Sequence, residues 1–179
     1  MSLCAASYVS DPHRLQYHTI LCNCCYAISF SIVKNRSLSE NQLKDNERGK
    51  SGLFQNQITI IIRNTDPMDI QRYTIAHEIG HILIGKDSSE YEAERFAIGV
   101  LAPACVLWGL DIHEPEDISR LCNISITSAK IRAERMKLLY KREQEFLQKY
   151  GRSCFLQLPL DQKVYKQFQD FIGKYKELE

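Results

Sequence analysis

The stretch Asp69-Ile-Gln-Arg-Tyr-Thr-Ile-Ala-His-Glu-Ile-Gly-His-Ile-Leu-Ile-Gly85 decides how this chain is read. Its apolar residues recur at helical spacing and Gly85 offers a C-terminal stop, which predicts a helix over residues 69–84. Within it, residues 77–81 match H-E-x-x-H. Residues four apart on a helix lie nearly above one another, so His77 and His81 can grip one metal ion from the same face. Ile75, Ile79 and Leu83 fall on the opposite side, where a core is expected. Glu78 projects from the flank, placed to take a proton from an attacking water. Two imidazoles and a carboxylate leave a fourth position for that water on zinc, which lowers its pKa to about 7 and polarises a peptide carbonyl. The bland alternative is a solvated helix face with two histidines and a glutamate.

A third ligand sorts the possible site types. The longer metzincin pattern needs Gly at 84 and His at 87, but Ile84 and Asp87 stand there, which excludes that class. A second helix is expected from about residue 90 to residue 101, ending before Pro103, and it offers Glu90, Glu92 and Glu94. Ala93, Phe96, Ala97, Val100 and Leu101 mark its inward stripe. At about 100° per residue, Glu90 lies roughly 50° from the centre of that stripe and Glu92 roughly 110° away. Glu90 is therefore the favoured ligand, against a bland role in a capping box with Asp87. Glu92 is second choice, with a bland role as capping partner of Ser89. Asp87 is third, better read as a cap.

Outward from this motif, residues 57–63 form a β-branched run that reads as a strand, and Asn64-Thr-Asp-Pro67 as a turn. Residues 28–33 alternate as a half-buried strand does, residues 35–51 read as a polar loop, and residues 11–26 show helical spacing. On the other side, Pro115 suits the first turn of a short helix reaching Cys122. Ser125 can cap a long helix from residue 126 to Tyr150, ended by Gly151. Residues 155–158 suggest an edge strand and residues 161–176 a final amphipathic helix. The expected class is α+β, with a short N-terminal sheet. Residues 1–112 form the core, residues 113–150 a helical, helix-turn-helix-like element packed on it, and residues 151–179 a strand and helix extension.

Composition fits this plan. Of 179 residues, 44% are apolar and 25% charged, the balance of an ordinary globular protein rather than a disordered or fibrous one. Lys plus Arg number 23 against 22 Asp plus Glu, so net charge announces neither nucleic acid nor membrane as partner. No run approaches the roughly 18 apolar residues of a membrane span, and the N-terminus lacks a secretory pattern. Seven cysteines at irregular spacing suit reduced thiols, and a cytoplasmic location is expected.

Three blocks in order carry a family resemblance: Arg72-Tyr-Thr-Ile-Ala-His-Glu-Ile-Gly-His81, Glu90-Tyr-Glu-Ala-Glu-Arg-Phe-Ala97 and Leu101-Ala-Pro103. Together with the strand before them and the element from Ile118 to Ser125, they resemble the ImmA/IrrE metallopeptidase family over roughly residues 15–140. The resemblance implies a small zincin-like domain with a two-helix metal site. It implies Zn²⁺ held by His77, His81 and Glu90, with Glu78 as catalytic base. It also implies an anti-repressor that cleaves or inactivates a helix-turn-helix transcriptional repressor of a phage, conjugative element or stress regulon. Such a chain is similar to the short, mobile-element members. The competing reading is a non-catalytic DNA- or protein-binding regulator, or a toxin–antitoxin component, with a structural metal site.

Weaker signals have bland readings. His18, Cys22 and Cys25 share a face if helical, but Cys24 points elsewhere, which favours a reduced, partly buried surface over a second metal site. Lys130, Arg132, Arg135 and Lys137 would suit phosphates, yet Glu134, Glu143 and Glu145 interleave with them, favouring intrahelical ion pairs over direct nucleic-acid binding. His113, Trp108 and Tyr73 can line a cleft, with core the better reading for Trp108 and Tyr73.

Overall fold

Four isoleucines in a seven-residue segment favour an extended, half-buried backbone. The computed structural model, which describes residues 16–21, 27–35, 43–54, 56–85 and 88–177, places a strand there. Its strands are β1 (Gln16–Leu21), β2 (Ala27–Asn35), β3 (Gly49–Phe54) and β4 (Gln57–Arg63). They form one mixed sheet in the order β1-β2-β4-β3. β1 pairs antiparallel with β2 (Gln16 opposite Ile32), β2 parallel with β4 (Phe30 opposite Ile58), and β3 antiparallel with β4 (Phe54 opposite Gln57). Asn56, in the β3–β4 connection, adopts φ 62°, a left-handed conformation that asparagine tolerates.

The helices are α1 (Met68–Ile84), α2 (Glu90–Leu101), α3 (Ala104–Gly109), α4 (Pro115–Cys122), α5 (Ile126–Tyr150), α6 (Pro159–Gln167) and α7 (Gln169–Lys176). The chain is α+β, and it forms two compact units, Met1–Ala97 and Ile98–Glu179.

In the first unit, alternation along β4 turns Ile60 and Ile62 into full burial, where they meet Ile79 of α1 with Ile58, Ile75, Ile82, Leu83 and Phe96 around them. Buried Gln71 fixes the turn between β4 and α1 by donating from Nε2 to the carbonyls of Asn64 (3.3 Å) and Asp66 (2.7 Å). The Arg63 guanidinium donates to the carbonyls of Lys44, Asp45 and Glu47, pinning the approach to β3. β3 lies close against α1. A Cβ at Gly49 would stand 2.2 Å from Thr74 Cγ2, so any other residue there requires the Thr74 side chain or its surroundings to shift.

The second unit has its own core, in which Leu107, Leu110, Ile118 and Met136 are fully buried. Pro115 opens α4, and Asn123 at φ 49° ends it. Ser125 caps α5 by accepting from the Ser128 N–H at 3.1 Å, and Gly151 at φ 64° ends the helix. Trp108 stacks on Tyr140 and Phe155 at centroid distances of 4.1 and 4.9 Å.

Four expectations need correction. Residues 16–21 are a strand, not part of a helix, because the ladder to β2 supplies hydrogen bonds that local spacing does not reveal. The expected loop over residues 35–51 runs into β3, whose Gly-Lys-Ser-Gly-Leu-Phe sequence carries no alternation. Residues 155–158 form a turn with Leu156 at φ 58° instead of a strand. The final helix is divided at Phe168 into α6 and α7.

Candidate metal centre

α1 carries both histidines on one face, as the four-residue spacing requires. Their Nε2 atoms lie 3.1 Å apart. The α1–α2 turn brings Glu90, the first residue of α2, to the same point. Its Oε2 is 3.1 Å from His77 Nε2 and its Oε1 is 3.3 Å from His81 Nε2. Glu90 is 84% exposed, so its carboxylate approaches the imidazoles from the solvent side, while the histidines are largely sheltered. Among the described residues, His77, His81 and Glu90 form the cluster able to hold a metal ion.

The donor set can be tested for fit. Tetrahedral zinc with bonds of about 2.0–2.1 Å places its ligand atoms about 3.3 Å apart. The two Nε2 atoms, 3.1 Å apart, suit that sphere, and the Glu90 carboxylate spans them with Oε2 at 3.1 Å from His77 and Oε1 at 3.3 Å from His81, one donor atom from each residue lying within 4.8 Å of the others. Two imidazole nitrogens and one carboxylate oxygen are also a recurrent catalytic zinc set that leaves one position open.

Glu78 is buried on the flank of α1. Its Cγ lies 3.5 Å from the position a Gly49 Cβ would take, so the β3 backbone backs the side chain. Tyr73, one turn before His77, packs beside it with ring centroids 6.3 Å apart and donates its phenol to Glu94 Oε1 at 3.4 Å. Glu94 thereby belongs to the wall of α2.

Glu92 takes a different role from Glu90. It accepts from the Ser89 backbone N–H at 2.9 Å and from the Ser89 hydroxyl at 3.0 Å, while the Glu92 N–H donates to Ser89 Oγ at 3.3 Å. This is a reciprocal capping box. The Ser89 backbone and hydroxyl donors hold the Glu92 carboxyl below its ordinary pKa. Asp87 lies outside the described residues. Comparisons with protein-family models, curated proteins and solved structures returned no match.

The remaining candidates stand elsewhere. His18 lies in β1, and Cys22, Cys24 and Cys25 lie outside the described residues. Trp108 and His113 belong to the aromatic cluster of the second unit, where His113 Nδ1 lies 3.2 Å from the Tyr140 hydroxyl. Along α5, Lys137 pairs with Glu134 at 3.0 Å and Lys141 with Glu145 at 3.9 Å, while Arg120 of α4 pairs with Asp117. Burial pulls the Arg132 guanidinium down to about 10, with its Nε lacking a hydrogen-bond partner. Among the described residues, Cys105, Cys122 and Cys154 take part in no disulfide. No helix among the described residues is long and apolar enough to cross a membrane.

The spacing of the histidines and the choice of Glu90 over Glu92 were readable from the sequence, although Glu90 meets the imidazoles from the solvent side and does not point inward. Ser88 was not readable there. Its hydroxyl lies 2.9 Å from His81 Nδ1, a contact that no spacing or motif in the sequence marks.

Proposed function

We propose that this chain is a cytoplasmic, zincin-like, zinc-dependent endopeptidase of the ImmA/IrrE type, acting as an anti-repressor on a helix-turn-helix transcriptional repressor. The observation that carries the enzymatic part is the convergence of His77 Nε2, His81 Nε2 and the Glu90 carboxylate, which meets His77 through Oε2 at 3.1 Å and His81 through Oε1 at 3.3 Å. When bound, zinc supplies Lewis acidity, lowering the pKa of water to about 7 and polarising a carbonyl. The residues do the rest. Glu78 accepts a proton from the attacking water and returns it to the leaving amine. Its burial, with Cγ beside Gly49 of β3, restricts the room in which the side chain can move.

A peptide substrate suits the surroundings. β3 ends the sheet, and among the described residues its outer edge pairs with no other strand. An extended segment can add to such an edge through main-chain hydrogen bonds. Because β3 packs on α1 at Thr74 and Glu78, a segment added there would run past the base. The identity of the substrate as a repressor rests on the family resemblance of residues 72–81, 90–97 and 101–103.

The test uses zinc analysis and Glu78→Gln together. The wild type is expected to hold about one zinc per chain and to cleave a repressor encoded near it. Glu78→Gln is expected to keep the metal and lose cleavage by at least about 10²-fold. Retained repressor inactivation in Glu78→Gln would instead identify a binding regulator with a structural metal.

A further inference from the structure

A metal-binding imidazole works best when its other nitrogen is held, because that bond fixes both ring orientation and tautomer. The two histidines here differ in this respect. His77 Nδ1 is buried with no hydrogen-bond partner among the described residues. His81 Nδ1 lies 2.9 Å from Ser88 Oγ.

Ser88 is itself held in place. The His81 carbonyl accepts from the Gly85 N–H at 3.1 Å, and the Gly85 carbonyl accepts from the Ser88 N–H at 3.0 Å. The chain leaving α1 therefore curls back so that Ser88 returns to the ring of the residue where the curl began. Gly85 makes this path possible at φ 119°, a conformation that side-chain-bearing residues rarely adopt.

The next two residues continue the pattern. Ser89 forms the capping box with Glu92 that starts α2, and Glu90 meets both imidazoles. Three consecutive residues thus orient one ligand, anchor the second helix and supply the third ligand.

We infer that Ser88 is a positioning residue of the metal centre. Its Oγ accepts the Nδ1 proton of His81 and so keeps the Nε2 lone pair directed at the point shared with His77 and Glu90. This inference rests on the zinc reading above. It makes the α1–α2 turn part of the site rather than a connector. His81 is the ligand whose outer nitrogen is tethered, and His77 is oriented by packing beside Tyr73.

The test measures Zn²⁺ affinity of the full chain by competition with a chromophoric chelator, for the wild type, Ser88→Ala and Ser88→Thr. Ser88→Ala is expected to weaken zinc binding about 10- to 100-fold, and Ser88→Thr to restore it to within about threefold of the wild type. In the wild type, imidazole ¹⁵N NMR is expected to show the His81 proton on Nδ1 and slow to exchange. That signature does not require the variants to fold.

Equal affinity in wild type and Ser88→Ala, or a His81 proton found on Nε2 in the zinc-loaded wild type, would overturn the assignment of Ser88 while leaving the zinc site standing. Loss of thermal stability in metal-free Ser88→Ala with unchanged zinc affinity would reduce Ser88 to a turn-holding residue and also overturn it. A wild type that binds no zinc would overturn both the inference and the function it rests on.

Discussion

Gly80 of α1 lies so close to Ala93 of α2 that an added Cβ would stand 3.1 Å from the Ala93 Cα and 3.2 Å from its carbonyl oxygen. The closeness of the two helices at this point decides whether Glu90 can reach the histidines. The glycine of H-E-x-x-H is thus a spacing element between the helix that carries His77 and His81 and the helix that carries Glu90.

Gly80→Ala sets two effects against each other. Alanine gains up to about 1 kcal/mol of helix propensity over glycine, but overpacking costs about 1–3 kcal/mol. The obstructing atoms are largely backbone, so they yield poorly, and the expected result is net destabilisation with weaker zinc binding. Gly99 of α2 provides the contrast, since a Cβ there meets nothing within 4 Å. Gly99→Ala is expected to stabilise by about 0.5–1 kcal/mol. Chemical denaturation of both variants, with zinc titration of the first, checks the pair.

Glu90 and Glu92 are two residues apart and are expected to fail differently. On the proposed zinc reading, Glu90→Ala removes a ligand, so zinc content should fall while the metal-free protein melts near the wild-type temperature. Glu92→Ala breaks the capping box and is expected to lower the melting temperature of the metal-free protein. It should retain most of the zinc. Metal analysis beside thermal melts separates them, and equal zinc loss in both variants would contradict the division of roles.

Glu143 gives a pH dependence remote from the metal. Burial acts to raise its pKa, but the Cys154 thiol and backbone N–H, at 2.8 and 2.9 Å, together with Ser153, hold the carboxyl below its ordinary value of 4.5. The same bond to Glu143 raises the Cys154 thiol above 9.0. Glu143 therefore stabilises the fold above about pH 4.5, and that contribution is lost as pH falls through its lowered pKa. Cys154 contributes below about pH 9, and that contribution is lost as pH rises through its raised pKa. Glu143→Gln is expected to cost about 1–3 kcal/mol at neutral pH. Urea midpoints across pH should show a shallower acid limb in this variant.

Arg132 combines a buried guanidinium with an Nε that lacks a partner. An unsatisfied buried donor costs about 1–3 kcal/mol. Arg132→Met keeps much of the apolar stem while removing that group, and it is expected to leave the melting temperature unchanged or raise it. A large drop in the melting temperature would mean that the rest of the guanidinium is well satisfied.

The sequence was most legible where structure is local. Spacing and caps located α1, α2, α4 and α5, and the arithmetic of one helix face placed Glu90 ahead of Glu92. Long-range pairing was where reading failed. Gln16–Leu21 carries a helix-like spacing, yet its backbone partners are in β2, six to sixteen residues later, from Leu21–Ala27 out to Gln16–Ile32. β3 has neither alternation nor β-branched residues, and its conformation comes from β4 beside it and from the room Gly49 leaves for Thr74. Ser88 escaped notice for a related reason. Its significance depends on a turn geometry that brings it back to His81, and no periodicity encodes that return.

The sheet order separates two kinds of assembly. β3, β4, α1 and the start of α2 follow one another along the chain, and each packs on or pairs with a near neighbour in sequence. The parallel β2–β4 pairing instead spans an excursion that includes the whole of β3. Loop-closure entropy makes such distant pairings slow to form relative to local ones. The half of the first unit that carries His77, His81 and Glu90 therefore has a short folding path of its own, so these three side chains can be gathered before the first two strands complete the sheet. Residues 49–97 should then show early hydrogen-exchange protection during refolding, with β1 and β2 protected later.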